Sequence, residues 1–301
     1  MRIPTWVSQH IAALRALIIL TIIVGIAYPL VITGVAQIPG LRHQADGSLV
    51  TMNGKAVGSA LIGQLFTDSD GNALPQYFQS RPSAAGDGYD PTSTSASNLG
   101  PESVVDTLPD PNNKTDEGTQ SLLTQVCSRS LAIGKLEGVD GSRPFCTSDG
   151  VGAVLVVVHV GGVPGGRVTA AYSVNQECPA TPFVATYAGV TVQCARFGTD
   201  YSKLGAITPI RGNAPAHPAV PPDAVTASGS GLDPQISTAY ADLQAPRVAR
   251  ERGVALSTVM QLIKQFTTPR ALGFLGEPGV NVLKLNMGLD QRYPVRGDDG
   301  S

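Results

Sequence analysis

The chain has 301 residues, a formal net charge of −2 at neutral pH, and only 15% charged and 5% aromatic residues. This length is sufficient for one or two globular units. The small negative charge, without a cluster of lysine or arginine, excludes the basic surface that nucleic-acid binding requires. We therefore expect no nucleic-acid partner.

An apolar run near the N-terminus predicts a membrane-spanning helix. No residue from Ala16 to Leu41 carries a formal charge, and about 20 apolar residues suffice to cross a bilayer. We assign the helix to residues 12–36, with Pro29 tolerated toward one end. A cleaved signal peptide is the alternative, since small residues precede Gln37, but the apolar run exceeds the usual signal core of about 7 to 15 residues.

The charges that flank this helix predict its orientation. Arg2, His10 and Arg15 lie on the short N-terminal side, which the positive-inside rule places in the cytoplasm. Residues 1–11 then form a cytoplasmic N-terminus, and the chain from about Gln37 onward lies outside. We expect a single-pass protein of the cell membrane that contacts lipid and is mostly extracytoplasmic.

Four cysteines in the outer part indicate two disulfide bonds. An even number of cysteines in an oxidising compartment is typical of a disulfide framework. Three pairings are possible and the sequence does not choose among them, and buried free thiols are the alternative. Zinc binding is less favoured, because no C-x-x-C pair and no suitably spaced histidine is present. These cysteines are Cys127, Cys146, Cys178 and Cys194.

The outer chain divides by composition and sequence pattern into three parts, and the first of these is residues 37–111. In this proximal part Val50, Met52 and Val57 flank an Asn53-Gly54 pair, which predicts a β-hairpin. The apolar pattern then gives way to an acidic region. We expect this part to join the C-terminal part in one domain.

Residues 112–213 are predicted to form an inserted, disulfide-stapled β-rich unit. The β-branched run from Val151 to Gly162 is typical of a buried strand, and residues 167–175 are its expected partner. All four cysteines flank these strands. His159 falls in the apolar run, where we expect a packed side chain rather than a ligand.

Residues 214–301 are predicted to form the C-terminal part of the domain. Ser237 is a candidate N-cap, and Pro246 is expected to end one helix and start a second, basic one. Ser257 is expected to cap a further helix, and the alternation from Val280 to Leu285 predicts a closing strand. The fold class is a single N-terminal transmembrane helix plus an extracytoplasmic α+β domain carrying a β-rich insertion.

Catalytic motifs are missing from the sequence. It contains no G-x-x-x-x-G-K-[ST] phosphate cradle, no H-E-x-x-H helix and no S-x-x-K arrangement. A Ser-His-Asp triad could be assembled only from distant residues around His43, His159 or His217. We therefore expect no catalysis by this chain alone. An interaction subunit and an anchored ligand-binding or cell-wall-associated domain are the alternatives, and an enzyme is a remote third.

Seven ordered segments carry a family resemblance. They are YPLVITGVAQ, GSALIGQLF, YFQSRPSA, GYDPTSTSASNLGP, VTASGSGLDPQIS, PRVARERGV and LGFLGEPGVNVLKLN. In this order they resemble KdpC, the accessory subunit of the bacterial high-affinity potassium-transporting ATPase. The match covers the helix, the proximal part and the C-terminal part, whereas the unit at residues 112–213 departs from the pattern.

The resemblance implies an accessory subunit of a four-component pump. Its partners would be a channel-like potassium-binding subunit, a P-type ATPase subunit and a small fourth subunit. ATP and potassium would act on the complex rather than as cofactors of this chain, which lacks the D-K-T-G motif of phosphoryl transfer. The family is described as assisting assembly and as raising the ATP affinity of the ATPase subunit. We expect the outer domain to cap the outer mouth of the potassium-binding subunit.

Nine residues of these segments are candidates for partner contact or for the local folding of loops. Arg81 offers five fixed donors to a carboxylate or to carbonyl groups. Asp90 and Asn98 suit turn hydrogen bonds, Gly229 and Gly231 allow backbone conformations closed to other residues, and Asp233 is a candidate helix cap. We expect residues 77–101 to be ordered against the transport subunit. The nine are Tyr77, Phe78, Arg81, Tyr89, Asp90, Asn98, Gly229, Gly231 and Asp233.

The acidic region is also expected to have a role in the function. From Asp68 to Glu117 there are nine acidic residues and two basic ones. The negative electrostatic potential of such a region raises the local cation concentration, and salt screens this effect. We therefore expect it to concentrate potassium near the entrance, with plain solubility as the alternative.

Overall fold

The computed structural model describes residues 4–86, 88–94, 99–163 and 165–295. The chain divides into two compact units, Met1–Leu61 and Ile62–Ser301. The first contains the apolar helix and a hairpin. The second contains the mixed helical and sheet structure that makes up most of the protein.

The first unit begins with a continuous helical stretch from Thr5 to Ala36. It comprises α1 (Thr5–Ile22), a π-helical segment (Ile23–Ala27) and α2 (Tyr28–Ala36). The wide π turn ends two residues before Pro29, which cannot donate the helical hydrogen bond expected at its position. With a mean hydropathy of 2.5 the stretch is long and apolar enough to cross a membrane. The predicted span at residues 12–36 lies within it.

A short helix and a hairpin complete the first unit. Helix α3 (Arg42–Ala45) precedes strands β1 (Leu49–Met52) and β2 (Lys55–Ser59), which pair antiparallel. Asn53 and Gly54 join the strands with φ values of 50° and 77°. Two positive φ angles in succession are typical of the turn that the Asn-Gly pair predicts, and the hairpin is confirmed.

The second unit contains five α-helices, two short 3-10 helices (Val160–Gly162 and Tyr201–Lys203) and eight strands in its described residues. The α-helices are α4 (Leu122–Glu137), α5 (Pro222–Val225), α6 (Thr238–Arg252), α7 (Leu256–Gln265) and α8 (Val282–Arg292). The strands are β3 (Val154–His159), β4 (Val168–Glu177), β5 (Thr186–Tyr187), β6 (Val190–Ala195), β7 (Ala206–Pro209), β8 (Gln235–Ser237), β9 (Thr267–Thr268) and β10 (Gly279–Asn281). The predicted combination of helix and sheet is therefore present.

Five of these strands form one sheet in the order β5-β6-β4-β3-β7. The predicted partnership of β3 and β4 is confirmed, with Leu155 opposite Ser173 in an antiparallel register. Leu155 belongs to the apolar cluster on one face and Val156 to the cluster on the other. Because both faces are covered, β3 is a continuous apolar run rather than an alternating one.

The main core lies between the helices and a second, three-stranded sheet in the order β8-β10-β9. Phe78, Ile236 and Leu285 are among its fully buried side chains. Helix α4 also packs against this core through Val126 and Ile133. Thus the segment predicted as an insertion contributes its helix to the core of the second unit.

The expected break at Pro246 is wrong, because α6 continues through this residue. Gln244 and Ala245 before it, and Arg247 and Val248 after it, are all buried. A proline inside a helix costs about 3 kcal/mol. Burial of the helix on both sides of Pro246 offsets this cost, which local propensity alone does not reveal.

Two further expectations in the C-terminal part are corrected. Helix α7 starts after Ala255 and has no side-chain cap, so Ser257 is not its N-cap. The expected closing strand ends at Asn281, whose side chain accepts a hydrogen bond from the Lys284 backbone at 3.0 Å and so caps α8. Val282 and Leu285 are therefore buried from a helix rather than from a strand.

The four cysteines form two disulfides. Cys127 of α4 is bonded to Cys146, and Cys178, directly after β4, is bonded to Cys194 of β6. The sequence left three pairings open, and the structure selects this one. We call residues 112–213 the middle segment. Each bond ties a regular element of the middle segment to a residue less than twenty positions away.

Candidate functional site

The segment from Tyr77 to Pro101 begins with two aromatic residues that pack inward. Phe78 is fully buried, and its backbone N–H and C=O both bond to the side chain of Asn286. The ring of Tyr77 lies 4.9 Å from the guanidinium of Arg252, which pairs with Asp290 at 2.8 Å. The start of this segment is thereby fixed against α6 and α8.

Arg81 is bonded within its own chain. Its Nη1 donates to Asp233 at 2.7 Å, and its Nη2 donates to the carbonyl of Thr226 at 3.2 Å. The hydroxyl of Tyr89 donates to the Arg81 carbonyl at 2.7 Å. Burial raises the pKa of Tyr89 to about 12. These bonds join the loop at residues 77–90 to the loop before β8.

Two glycines allow these loops to come together. Gly231 has a φ of 74°, and a Cβ added there would lie 2.5 Å from the Cβ of Ala85. A Cβ at Gly63 would overlap the ring of Tyr89. The prediction of a special backbone conformation is therefore confirmed for Gly231. It is wrong for Gly229, whose φ lies outside the left-handed region and whose Cβ would meet open space.

The remaining predicted turn residues have mixed outcomes. The carboxylate of Asp90 accepts hydrogen bonds from the N–H and hydroxyl of Thr92, at 2.8 and 2.7 Å, as expected for a turn. Asp233 is not a helix cap. That role belongs to Ser237, as predicted, whose Oγ accepts from the Tyr240 backbone at 3.0 Å. Asn98 lies outside the described residues.

A different surface displays apolar side chains to solvent. We define the apolar loop as residues 269–278, which connect β9 to β10. Within it Leu272 is 83% exposed, Phe274 68% and Leu275 51%. Large apolar side chains grouped so closely on a surface mark an interaction site more often than a chance exposure.

The apolar loop is an ordered hairpin rather than a loose connection. Ala271 and Leu275 exchange backbone hydrogen bonds of 2.9 Å in both directions, and Arg270 forms an ion pair with Glu277 at its base. Gly273, with a φ of 83°, provides the tight turn. The backbone that carries the exposed side chains is therefore ordered before any partner binds, which lowers the entropic cost of docking.

A groove of about 680 Å³ begins at the base of the apolar loop. Its walls come from α6, α7 and β9, and Thr267 and Pro269 lead from the groove into the loop. Met260, an exposed and adaptable side chain, lines the groove together with Asp242. Burial raises the pKa of Asp242. We call the groove and the apolar loop together the docking surface.

The sequence did not single out the residues of the apolar loop as contact residues. Their segment, LGFLGEPGVNVLKLN, entered only as part of the family resemblance. Leu272 directly precedes Gly273, and Phe274 and Leu275 lie between Gly273 and Gly276. Large apolar residues among glycines, outside any helical or strand periodicity, are the signal that could have marked them. Exposure itself depends on the tertiary structure.

No group of three or more potential metal ligands occurs within residues 4–86, 88–94, 99–163 and 165–295. The described histidines, cysteines and carboxylates are therefore not arranged as a metal centre. What the geometry offers instead is an ordered apolar surface for contact with another molecule.

A candidate membrane-spanning helix followed by a domain with an ordered, exposed apolar loop is typical of an anchored interaction protein. Comparison with protein families gives the particular family. Residues 10–110 and 200–291 match the model of KdpC, described as K+-transporting ATPase, c chain. The chain belongs to the KdpC family, as the seven segments indicate.

Individual relatives agree with this assignment. The chain is 36% identical over 276 residues to the potassium-transporting ATPase KdpC subunit of Rhodospirillum rubrum, covering 92% of each protein. It is 34% identical over 283 residues to that of Mycobacterium bovis, covering 94% of this chain and 98% of the relative. The Caulobacter vibrioides subunit is 36% identical over 283 residues, with 94% and 92% covered.

Family membership decides between the sequence-based alternatives. The relatives carry the name of a subunit of the potassium-transporting ATPase rather than that of a catalytic subunit. The accessory-subunit interpretation is confirmed, and an anchored ligand-binding or cell-wall domain is not favoured. The family model leaves residues 111–199 unmatched, whereas the alignment to the Mycobacterium bovis subunit covers 98% of that relative. The Mycobacterium bovis subunit therefore has a middle segment similar in size to that of this chain.

Proposed function

We propose that the second unit lies outside the membrane and docks onto a transport subunit of the potassium pump through the docking surface. The exposure of Leu272, Phe274 and Leu275 on an ordered hairpin is the observation that carries this proposal. A subunit of a complex needs such a surface, and the apolar loop supplies it. The domain would then cap the outer mouth of the potassium-binding subunit.

The apolar loop carries enough apolar surface to matter for assembly. Burying a leucine or phenylalanine side chain stabilises by about 1.5 to 3 kcal/mol. Interfaces concentrate their binding energy in a few central residues of this kind. Phe274, which lies between Leu272 and Leu275 in the apolar loop, has the character of such a centre.

Two features support an outer location. Arg15 precedes the uncharged run that starts at Ala16, so the positive-inside rule keeps the N-terminus in the cytoplasm. The two disulfides of the second unit fit an oxidising compartment. Labelling of an Ala216→Cys variant, at an exposed position, tests the location: reaction with a membrane-impermeant maleimide before permeabilisation supports it, and reaction only afterwards contradicts it.

The acidic region has a part in the same function. Hydrogen bonds from Asn72 hold the pKa of Asp68 below its usual range, and those from Thr92 do the same for Asp90. Both carboxylates thus stay charged and would attract potassium to the entrance. Asparagine at positions 68, 70, 87 and 90 removes the charges, and at positions 68 and 90 it keeps an acceptor oxygen for the turn. Unchanged apparent potassium affinity of this variant at low ionic strength would contradict the role.

The docking proposal is tested by a pair of matched variants. Leu272→Ser/Phe274→Ser removes two exposed apolar side chains from the apolar loop. Val160→Ser/Val163→Ser removes two from the β3–β4 turn, where they are 49% and 61% exposed. We expect only the first variant to reduce recovery of the complete pump in detergent, with the thermal unfolding of both unchanged. Full recovery and normal potassium uptake with the first variant would overturn the proposal.

A further inference from the structure

A second cavity, of about 530 Å³, opens on the five-stranded sheet. Val156 of β3 and Val174 of β4 form part of its floor, and residues 105–108 form one wall. The other wall is the connection between β6 and β7, residues 196–202. This volume is within the range of about 300 to 1,000 Å³ that small-molecule sites occupy.

The carboxylates of this cavity are already bonded within the chain. Asp106 accepts from the Ser121 N–H and the Thr124 hydroxyl, both at 2.8 Å. Asp200 accepts from the Ser202 hydroxyl at 2.5 Å and pairs with Lys203 at 2.9 Å. Neither carboxylate therefore needs a cation from outside.

Arg196 is in the opposite situation. Arg196 lines the cavity, and its side chain forms no ion pair or hydrogen bond with the residues that the structure describes. Its backbone is bonded: the N–H donates to the Tyr201 hydroxyl oxygen at 2.9 Å, and the carbonyl accepts from the Thr199 N–H at 3.3 Å. A guanidinium presents paired donors that match a carboxylate in a fork geometry. The cavity thus has one positive group that is free to bind an anion.

The rest of the lining favours an apolar group. Phe197 and Ile207 at the cavity are 41% and 44% exposed, and the floor valines are buried members of the sheet. Tyr201 packs against Tyr172 with ring centroids 5.0 Å apart, which fixes its hydroxyl beside the backbone of Arg196. Apolar walls with a few fixed polar groups are typical of ligand pockets.

We propose that this cavity binds a small organic carboxylate with an apolar or aromatic group. The carboxylate pairs with Arg196, and the apolar group lies between Phe197, Ile207 and the floor of the sheet. The site uses none of the residues of the docking surface. Ligand binding in this cavity is therefore separate from docking, and a failure of either proposal would leave the other intact.

The experiment uses the full chain in nanodiscs and 3-phenylpropionate as the probe. Saturation-transfer NMR detects binding and titration gives its affinity, with empty nanodiscs subtracted. We expect saturable binding, and at least tenfold weaker binding of the neutral analogue 3-phenylpropanol and of inorganic phosphate. The first comparison tests the need for a carboxylate and the second the need for an apolar group.

Two variants assign binding to the cavity. Arg196→Gln is expected to weaken it at least tenfold with unchanged thermal unfolding, since Arg196 is exposed. Arg167→Gln, an exposed arginine that precedes β4 and does not line the cavity, is expected to leave the affinity unchanged. Absence of binding at millimolar probe, equal binding of phenylpropanol or phosphate, or wild-type affinity of Arg196→Gln would each overturn the proposal.

Discussion

The Nε of Arg247 donates to both carboxylate oxygens of Glu137, at 3.1 and 3.0 Å, inside the second unit. The two side chains are only 2% and 1% exposed. Arg247 lies in the part of the chain that matches the family model, whereas Glu137 ends α4 in the unmatched middle segment. The middle segment therefore neutralises a buried charge of the core.

Loss of this ion pair is predicted to destabilise the second unit. Glu137→Gln leaves the Arg247 charge buried without its partner, which costs about 3 to 5 kcal/mol. Chemical denaturation of the full chain in detergent measures the change. Glu251→Gln is the control, because its partner Arg250 is 67% exposed and such surface pairs contribute about 1 kcal/mol or less. Equal stability of both variants would contradict the prediction.

Alanine substitutions at two nearby glycines are predicted to differ sharply in their effect on stability. Gly231→Ala forces a side chain into a positive φ and against Ala85, and we expect a loss of about 2 kcal/mol or more in the free energy of unfolding. Gly229→Ala meets open space and is expected to change it by about 0.5 kcal/mol or less. Thermal unfolding of the two variants makes the comparison, and an equal loss would refute the packing of these loops.

Tyr89 is predicted to make stability depend on alkaline pH. Its folded pKa is raised to about 12, above the usual value of about 10. The unfolded state therefore loses its proton first, and stability present below about pH 10 is lost as the pH rises toward 12, by up to about 2.7 kcal/mol. Tyr89→Phe is expected to show a flatter decline of unfolding temperature over this window. Parallel curves for the two proteins would be inconsistent with a buried Tyr89 hydroxyl.

The bond between Cys178 and Cys194 is predicted to stabilise the five-stranded sheet. The cysteines are separated by 16 residues, and closing a loop of this size contributes about 3 kcal/mol by restricting the unfolded chain. Cys178→Ser/Cys194→Ser is expected to lose this amount in chemical denaturation. Wild-type protein with both disulfides reduced should lose at least as much. No loss in either sample would show that the bond does not form.

The sequence predicts the elements whose signals are local. Asn53-Gly54 specifies its hairpin through backbone preference, and Ser237 caps α6 through its own hydroxyl. The segment from Val280 to Leu285 is different, since its spacing fits a strand and a helix equally well. The Asn281 cap and the burial of Leu285 in the core stabilise the helix, and both depend on the packed structure.

The candidate site shows the same division. The sequence marks Arg81 as a donor, but its partner Asp233 lies 152 residues further along the chain. Phe274 is a residue type that usually lies in a protein core, and only the fold places it on the surface. Partners distant in sequence, and exposure, are properties of the tertiary structure.

Photo-crosslinking from position 274 is the most direct test of docking through the apolar loop. A benzoylphenylalanine replaces Phe274 in the assembled pump, and the membranes are irradiated before extraction. We expect a crosslink to a large transport subunit on its outer side, and none from the same probe at Val163. A crosslink from position 163 without one from position 274 would contradict docking through the apolar loop.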